Sequence, residues 1–243
     1  MRERWGQVMR GAADVLFPPV CVHCQALTEG SALRHLCVKC AAEADVVQPP
    51  CCSTCGYPYF GIVEGERMCP HCEGLAPAFR EGRTCVLLKG PTRSLVHALK
   101  YHHGLYVLED MAKLFAQAPG LMAWVQDAIL VPVPLHPRRE RERGYNQSQM
   151  LAECLGQAAG GAEIGNLLER VQDTVSQTHH DKRARQANLK NAFALAKGAP
   201  INPARHYILI DDVFTTGSTL NSCARVLRRA GCLNLDVITF GHG

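Results

Sequence analysis

Two groups of residues in this 243-residue chain carry chemistry that their types and spacing make legible. The first is four CxxC pairs: Cys21/Cys24, Cys37/Cys40, Cys52/Cys55 and Cys69/Cys72. Two cysteines separated by two residues turn both sulfurs toward one ion in a tight knuckle, and two knuckles complete a tetrahedral thiolate shell around Zn²⁺. Eight thiolates fit two such shells, closed to substrate and therefore structural. Sequential pairing puts Cys21, Cys24, Cys37 and Cys40 on one ion and Cys52, Cys55, Cys69 and Cys72 on the other; spacing leaves an interleaved pairing open. His23 and His71 lie inside knuckles but are surplus to four thiolates, and Cys51 is spare. A disulfide framework is the competing reading, but the chain shows no secretion signal.

The second group is "YILIDDVFTTGSTL" (207–220), an apolar strand running into Asp211 and Asp212, then Thr215, Thr216, Gly217, Ser218 and Thr219 at the mouth of a helix. Adjacent carboxylates at a strand end repel and lose hydration unless they meet hydroxyl donors or a cation, and a sugar diol with Mg²⁺ supplies both. Free backbone N–H groups and small hydroxyls at a helix N-terminus attract phosphate. An N-cap turn explains one hydroxyl and leaves the acid pair unexplained.

The elements that must position these groups follow from periodicity. From about residue 84, strand-like segments (84–88, 127–135, "NLLERV", "NAFAL", 206–210, 235–240) alternate with helix-like ones. Alternation predicts an α/β domain over 84–243: a parallel sheet with helices on both faces, binding ligands beyond the carboxyl ends of its strands. Residues 1–80 are expected as a separate N-terminal module. It opens with a helix that carries Trp5, Val8, Met9, Ala12 and Leu16 at helical spacing. Two zinc ribbons follow, where metal compensates for few large apolar residues.

Charge adds a third signal. The net charge is +4, with the basic excess in the C-terminal part, locally dense in "RRERER" (138–143) and "DKRARQ" (181–186). "PVPLHPRR" follows a strand and is expected as a loop at the same sheet edge, with Arg138 and Arg139 clamping oxyanions or, as the alternative, sitting at a solvated helix start. The long polar segment 175–188 is expected as a lid carrying Lys182, Arg183 and Arg185. Aromatic residues make up only 6% of the chain and do not interleave with basic ones, which argues against a stacking platform for nucleic acid. No apolar run reaches the ~18 residues of a membrane span, and a cytoplasmic protein is expected, at most held at the inner membrane through partners.

"ILIDDVFTTGST" resembles the phosphoribosyl-pyrophosphate (PRPP) motif of type I phosphoribosyltransferases. The whole chain resembles the ComF/GntX family of competence proteins, through "LFPPVCVHC" entering paired ribbons, "LKYHHG" (99–104), "VPVPLHPRRERERGYNQS" (131–148), "NLKNAF" (188–193) and the PRPP motif. The resemblance implies a phosphoribosyltransferase-type site, with Asp211 and Asp212 on ribose, residues 215–219 on its 5′-phosphate, and PRPP or a nucleic-acid 5′-phosphate as ligand with Mg²⁺. It also implies a role in single-stranded DNA uptake during natural transformation, beside a helicase-like ATPase. The alternative is a metabolic transferase that moves ribose 5-phosphate to an acceptor and releases pyrophosphate. Lys100 and Tyr101 are placed by this resemblance only.

Overall fold

The computed structural model describes residues 18–61, 69–172 and 191–243. In chain order its elements are α1 (Val38–Ala42), β1 (Gly82–Leu87), α2 (Gly90–Tyr101), α3 (Leu108–Gln117), α4 (Leu121–Val125), β2 (Ile129–Pro132), α5 (Pro137–Arg143), α6 (Gln147–Ala158), β3 (Glu163–Ile164), β4 (Leu168–Arg170), β5 (Phe193–Leu195), β6 (His206–Phe214), α7 (Ser218–Arg229) and β7 (Asn234–His242). Five strands form one sheet in the order β1-β7-β6-β2-β3, every pairing parallel. Continuous apolar runs such as "YILI" belong in such a sheet, because both faces are covered.

The two faces carry two cores. On β6, Ile208 and Ile210 point into a cluster with Leu95 and Leu99 of α2, Met111, Leu114 and Phe115 of α3, and Leu151 and Leu155 of α6. Tyr207 and Leu209 point the opposite way, into a cluster with Leu220, Ala224 and Leu227 of α7. The strand period of two thus divides one apolar segment between two cores.

The cysteine module wraps the outer edge of β1. Val47 N–H donates to Cys85 O at 2.8 Å, Leu87 N–H to Asp45 O at 3.1 Å and Gly82 N–H to Ser53 O at 2.7 Å. This covers backbone groups that an edge strand would otherwise present for aggregation. Gly56 lets the approach be close: a Cβ there would lie 2.4 Å from Thr84 N, and its φ is +73°.

Two expectations need correction. "NLLERV" and "NAFAL" do not join the parallel series; β4 and β5 pair antiparallel in a separate two-stranded sheet. Periodicity identifies a strand but not its partner, and antiparallel pairing requires no crossover helix. "PVPLHPRR" is a loop only as far as His136. Pro137 then opens α5, its fixed φ suited to the first helical turn, and His136 caps it by accepting from Arg138 N–H. The N-terminal helical spacing and the basic segment around Lys182, Arg183 and Arg185 lie outside the described residues.

Candidate functional site

Asp211 and Asp212 sit near the carboxyl end of β6, both buried. Asp211 Oδ1 accepts from Ser148 Oγ at 2.9 Å and from Asp212 N–H at 2.9 Å. Asp212 Oδ2 lies 2.8 Å from Lys100 Nζ, an ion pair that leaves this oxygen no other polar partner among the described residues. Burial, then the neighbouring Asp212 charge, pushes the Asp211 carboxyl up to about 7, against the pull of Lys100. Burial alone would lower the Lys100 ammonium, but Asp212 outweighs it and the net shift is upward. Two buried carboxylates therefore face one half-buried cation, Lys100.

Beyond the pair the chain turns through Thr215, which is exposed, and Thr216, which is half-buried, into α7. Thr216 Oγ1 and Ser218 Oγ are 2.9 Å apart, and Thr219 faces the cleft. No acid occupies the first turn of α7, so no side chain of that turn offsets the positive end of its dipole. Gly217 has φ +68°, and a Cβ there would come within 2.6 Å of the Phe214 ring and 2.9 Å of Leu75. The glycine is thus demanded from behind the loop, by packing, as well as by its backbone conformation.

A cleft of about 660 Å³ gathers Lys100, Asp211, Asp212 and Thr219 with Arg138, Arg139 and Arg143 of α5, Gln147 of α6, Arg170 of β4, and Tyr101 and His103; of the 215–219 turn, Thr219 alone among the described residues lines it. Five cations line it, Lys100 included, against three acids, Asp211, Asp212 and Glu142, a balance that suits a polyanion. Arg138 Nε is paired with Glu142 Oε1 at 2.9 Å, one helical turn away, so anion capture by this residue competes with a surface ion pair of small worth. Gly144 ends α5 in the left-handed region, and Asn146 caps α6 by accepting from Ser148 N–H at 3.1 Å. That cap fixes the start of the helix whose Ser148 hydroxyl reaches Asp211.

The cysteines form two clusters, Cys21/Cys24/Cys37/Cys40 and Cys52/Cys55/Cys69/Cys72, and within each the sulfurs lie within 4.8 Å of one another. Pairing is therefore sequential. Zn–S bonds of ~2.3 Å in a tetrahedron put sulfurs roughly 3.8 Å apart. Cys24 Sγ is 3.6 Å from both Cys37 and Cys40, while Cys52–Cys72 and Cys55–Cys69 are each 3.8 Å. Both sets fit Zn²⁺. The knuckle histidines make other contacts: His23 Nδ1 is 2.9 Å from Ser94 Oγ, and the His71 ring lies 4.1 Å from that of Tyr57.

Two residues at the acid pair escape a reading of local residue chemistry. Lys100 follows only from family likeness, and Ser148 only as a letter of the "NQS" block. Each lies far along the chain from β6, and no local spacing announces such a contact. The one available signal for Lys100 is its place on α2 beside the apolar stripe of Leu95, Val96 and Leu99, which leaves its stem half-buried.

The double zinc ribbon domain family matches residues 12–73. The chain is 33% identical to the DNA utilization protein YhgH of Salmonella typhimurium, over 85% of this chain and 90% of that protein. It is 29% identical to competence protein F of Haemophilus influenzae, over 83% and 94%, and 25% identical to competence protein ComFC of Bacillus subtilis, over 82% and 80%. Among solved structures, a hypoxanthine phosphoribosyltransferase from Staphylococcus aureus aligns over 56% of this chain and 62% of that one, with 18% identity and a TM-score of 0.33.

Proposed function

This chain belongs to the ComF family of competence and DNA utilization proteins, and from that premise we propose that it handles incoming single-stranded DNA through a cleft that binds PRPP or a nucleic-acid 5′-phosphate. The observation that carries the reading is the convergence, in one cleft, of a buried acid pair, Thr219 from the hydroxyl turn at a helix N-terminus, and five cations. Carboxylates accept from a ribose diol, the 215–219 turn receives its 5′-phosphate, and Arg138, Arg139 and Arg170 receive pyrophosphate oxygens or backbone phosphates. Lys182 and Arg183 enter the proposal only as further basic residues of the sequence, since the cleft's own cations already suffice for a polyanion.

Mg²⁺ belongs to the same proposal. Asp212 Oδ2 is buried and, among the described residues, balanced by Lys100 alone, so the donor set fits a hard cation arriving with a pyrophosphate. When bound, the ion would neutralise phosphate charge. The chain's own residues do the rest: Ser148 orients Asp211, Lys100 holds Asp212, and the cleft walls confine the ligand. No helix among the described residues is long and apolar enough to cross a membrane. Action at the inner membrane face, beside a helicase-like ATPase, is therefore proposed to run through partners.

Calorimetric titration with PRPP and Mg²⁺, followed by single-stranded DNA, tests the reading. The double variant Asp211→Asn/Asp212→Asn should weaken PRPP by roughly 2–4 kcal/mol, the range for charge-assisted hydrogen bonds. Unchanged affinity would place the ligand elsewhere. Release of pyrophosphate in the presence of a small acceptor would instead favour a metabolic transferase.

A further inference from the structure

A second cleft, of about 760 Å³, lies between the first ribbon and the outer face of α2. Its walls include Arg34, His35, Arg93, His97, His102 and Tyr106, and no acid lines it among the described residues. On α2, Arg93, His97 and Tyr101 are spaced four apart and all exposed, so they form one stripe along the helix. The rings are already gathered: His97 and Tyr101 at 4.8 Å, His97 and His102 at 5.1 Å, and His35 and Tyr106 at 4.7 Å. Tyr101 is 64% exposed and Tyr106 50%, so both rings are open to a ligand. The stripe also reaches the first cleft, because Tyr101 lines that cavity, with the Arg143 guanidinium 5.8 Å from its ring centre.

Aromatic and basic residues do not interleave along the sequence, but helical spacing and the docking of the first ribbon interleave them in space. Exposed rings beside cations suit a ligand with flat unpaired faces and a charged backbone, which describes a single strand; a duplex hides its base faces in its own stack. We propose that this groove is the docking surface for single-stranded nucleic acid. Bases rest on Tyr106, His97 and Tyr101, phosphates face Arg34 and Arg93, and the strand reaches the rim of the acid-pair cleft at Tyr101. From Arg93 to Tyr101 the stripe spans about 12 Å of helix, and the groove extends it toward Tyr106. The inference rests on the reading above that the chain handles single-stranded DNA, and it assigns that ligand a surface that adjoins the PRPP cleft at Tyr101.

The test uses the full-length, zinc-loaded protein and a fluorescent oligothymidylate of about 20 nucleotides, long enough for one site of this kind, read by anisotropy. The triple variant His97→Ala/Tyr101→Ala/Tyr106→Ala should bind it roughly tenfold or more weakly. Arg93→Glu should also lower the salt dependence by roughly 0.7 in the log–log slope per lost phosphate contact. Tyr106→Phe keeps the ring and should keep the affinity; a loss equal to that of Tyr106→Ala would overturn the stacking assignment. Arg93→Glu and Tyr106→Ala, which do not line the first cleft, should leave PRPP affinity within about twofold, a change under 0.5 kcal/mol, while zinc content and melting temperature report an intact fold. If the parent binds the oligonucleotide and the triple variant binds it equally, the groove is not the surface, although the DNA reading survives. A parent that binds no single strand overturns both. Duplex DNA bound as tightly as the single strand would overturn the choice of ligand.

Discussion

The two ribbons are alike in ligand set and opposite in placement. The first contributes Cys21, Cys37 and Cys40, with Leu33 and Leu36, to the core on the α2–α3–α6 face of the sheet. The second contributes Cys52, Cys55 and Cys69 to the core on the α7 face. Their anchors differ in kind. The first is held by Asp110 of α3, whose buried carboxylate accepts from Arg34 N–H and His35 N–H, each at 2.7 Å. The second is held where the proposed phosphate loop begins: Leu75 abuts Gly217, and Tyr57, His71 and His242 make a ring cluster that continues to Phe214 at 5.1 Å. Asn221 of α7 ties the following segment by accepting from Ala78 N–H at 2.8 Å and donating to Ala76 O at 3.0 Å. One ribbon thus walls the proposed strand groove, and the other backs the hydroxyl loop. Equal metal sites can serve unequal purposes.

The largest expected effect breaks the two apart through their metal. The purified protein should hold about two zinc ions per chain, and a structural site can contribute ~10–16 kcal/mol to the fold of its own segment. Cys69→Ser should release one ion and abolish PRPP binding, whereas Cys37→Ser should release the other and act first on oligonucleotide binding. Elemental analysis and the two titrations check this. If either serine variant damages both ligands equally, the division of labour is wrong.

Next comes the loop that the second ribbon supports. Gly217→Val combines a left-handed φ with Cβ contacts of 2.6 and 2.9 Å to Phe214 and Leu75, a strain expected to cost about 3 kcal/mol. Denaturant melts should show that loss, and Leu75→Ala in the same background should recover part of it by opening space. No recovery would mean that the ribbon does not press on the loop.

The anchors themselves should differ less. Asp110→Ala strands two part-buried backbone N–H groups and leaves its own buried site unfilled, and should cost about 2–3 kcal/mol, while Asn221→Ala, losing one acceptor and one donor, should cost about 1–2 kcal/mol. Only the second should also weaken PRPP, because Asn221 lies in the first turn of α7. Equal effects on PRPP from both variants would dissolve the contrast.

These anchors also mark where sequence reading stops. Cysteine spacing reveals both four-thiolate shells because ligation geometry is local, and the acid pair with its hydroxyl turn shows itself because strand end and helix start are contiguous. Most strands and helices follow from period, but period does not say that β4 and β5 pair antiparallel outside the parallel sheet. Lys100 on Asp212, Ser148 on Asp211, Asp110 under the first ribbon and Leu75 behind Gly217 join residues remote in sequence, and no period encodes which remote residue a side chain will meet. The α5 helix is legible from sequence only as the alternative of a solvated helix start: "PRRERER" has no apolar stripe to favour it, and none of its residues is buried.

The smallest contrast is with pH. Asp110 and Asp236 are both buried carboxylates that bind cysteine-module or linker backbone to the sheet domain. Burial alone would raise Asp110, but His35 and the two backbone N–H groups bring it below its ordinary value. For Asp236 burial is likewise overcome, by His206, by Arg80 and by Glu81 N–H, and the carboxyl falls to about 2. A depressed carboxyl contributes stability that is complete above its unfolded value near 4 and disappears as pH falls through the folded value. For Asp236 the window is about pH 4 to 2. The full linkage would be roughly 2–3 kcal/mol, which the half-exposed Arg80 brings to the lower end. Zinc thiolates also protonate on acidification, so the parent's acid transition mixes both events. The comparison of each variant with the parent isolates the carboxylate: Asp236→Asn should be less stable at about pH 6 and converge with the parent toward about pH 2. Asp110→Asn should converge in the same direction, accompanied by loss of the first ribbon's zinc alone. Parallel acid curves for parent and Asp236→Asn would show that the carboxylate's charge does not hold the segment after the second ribbon.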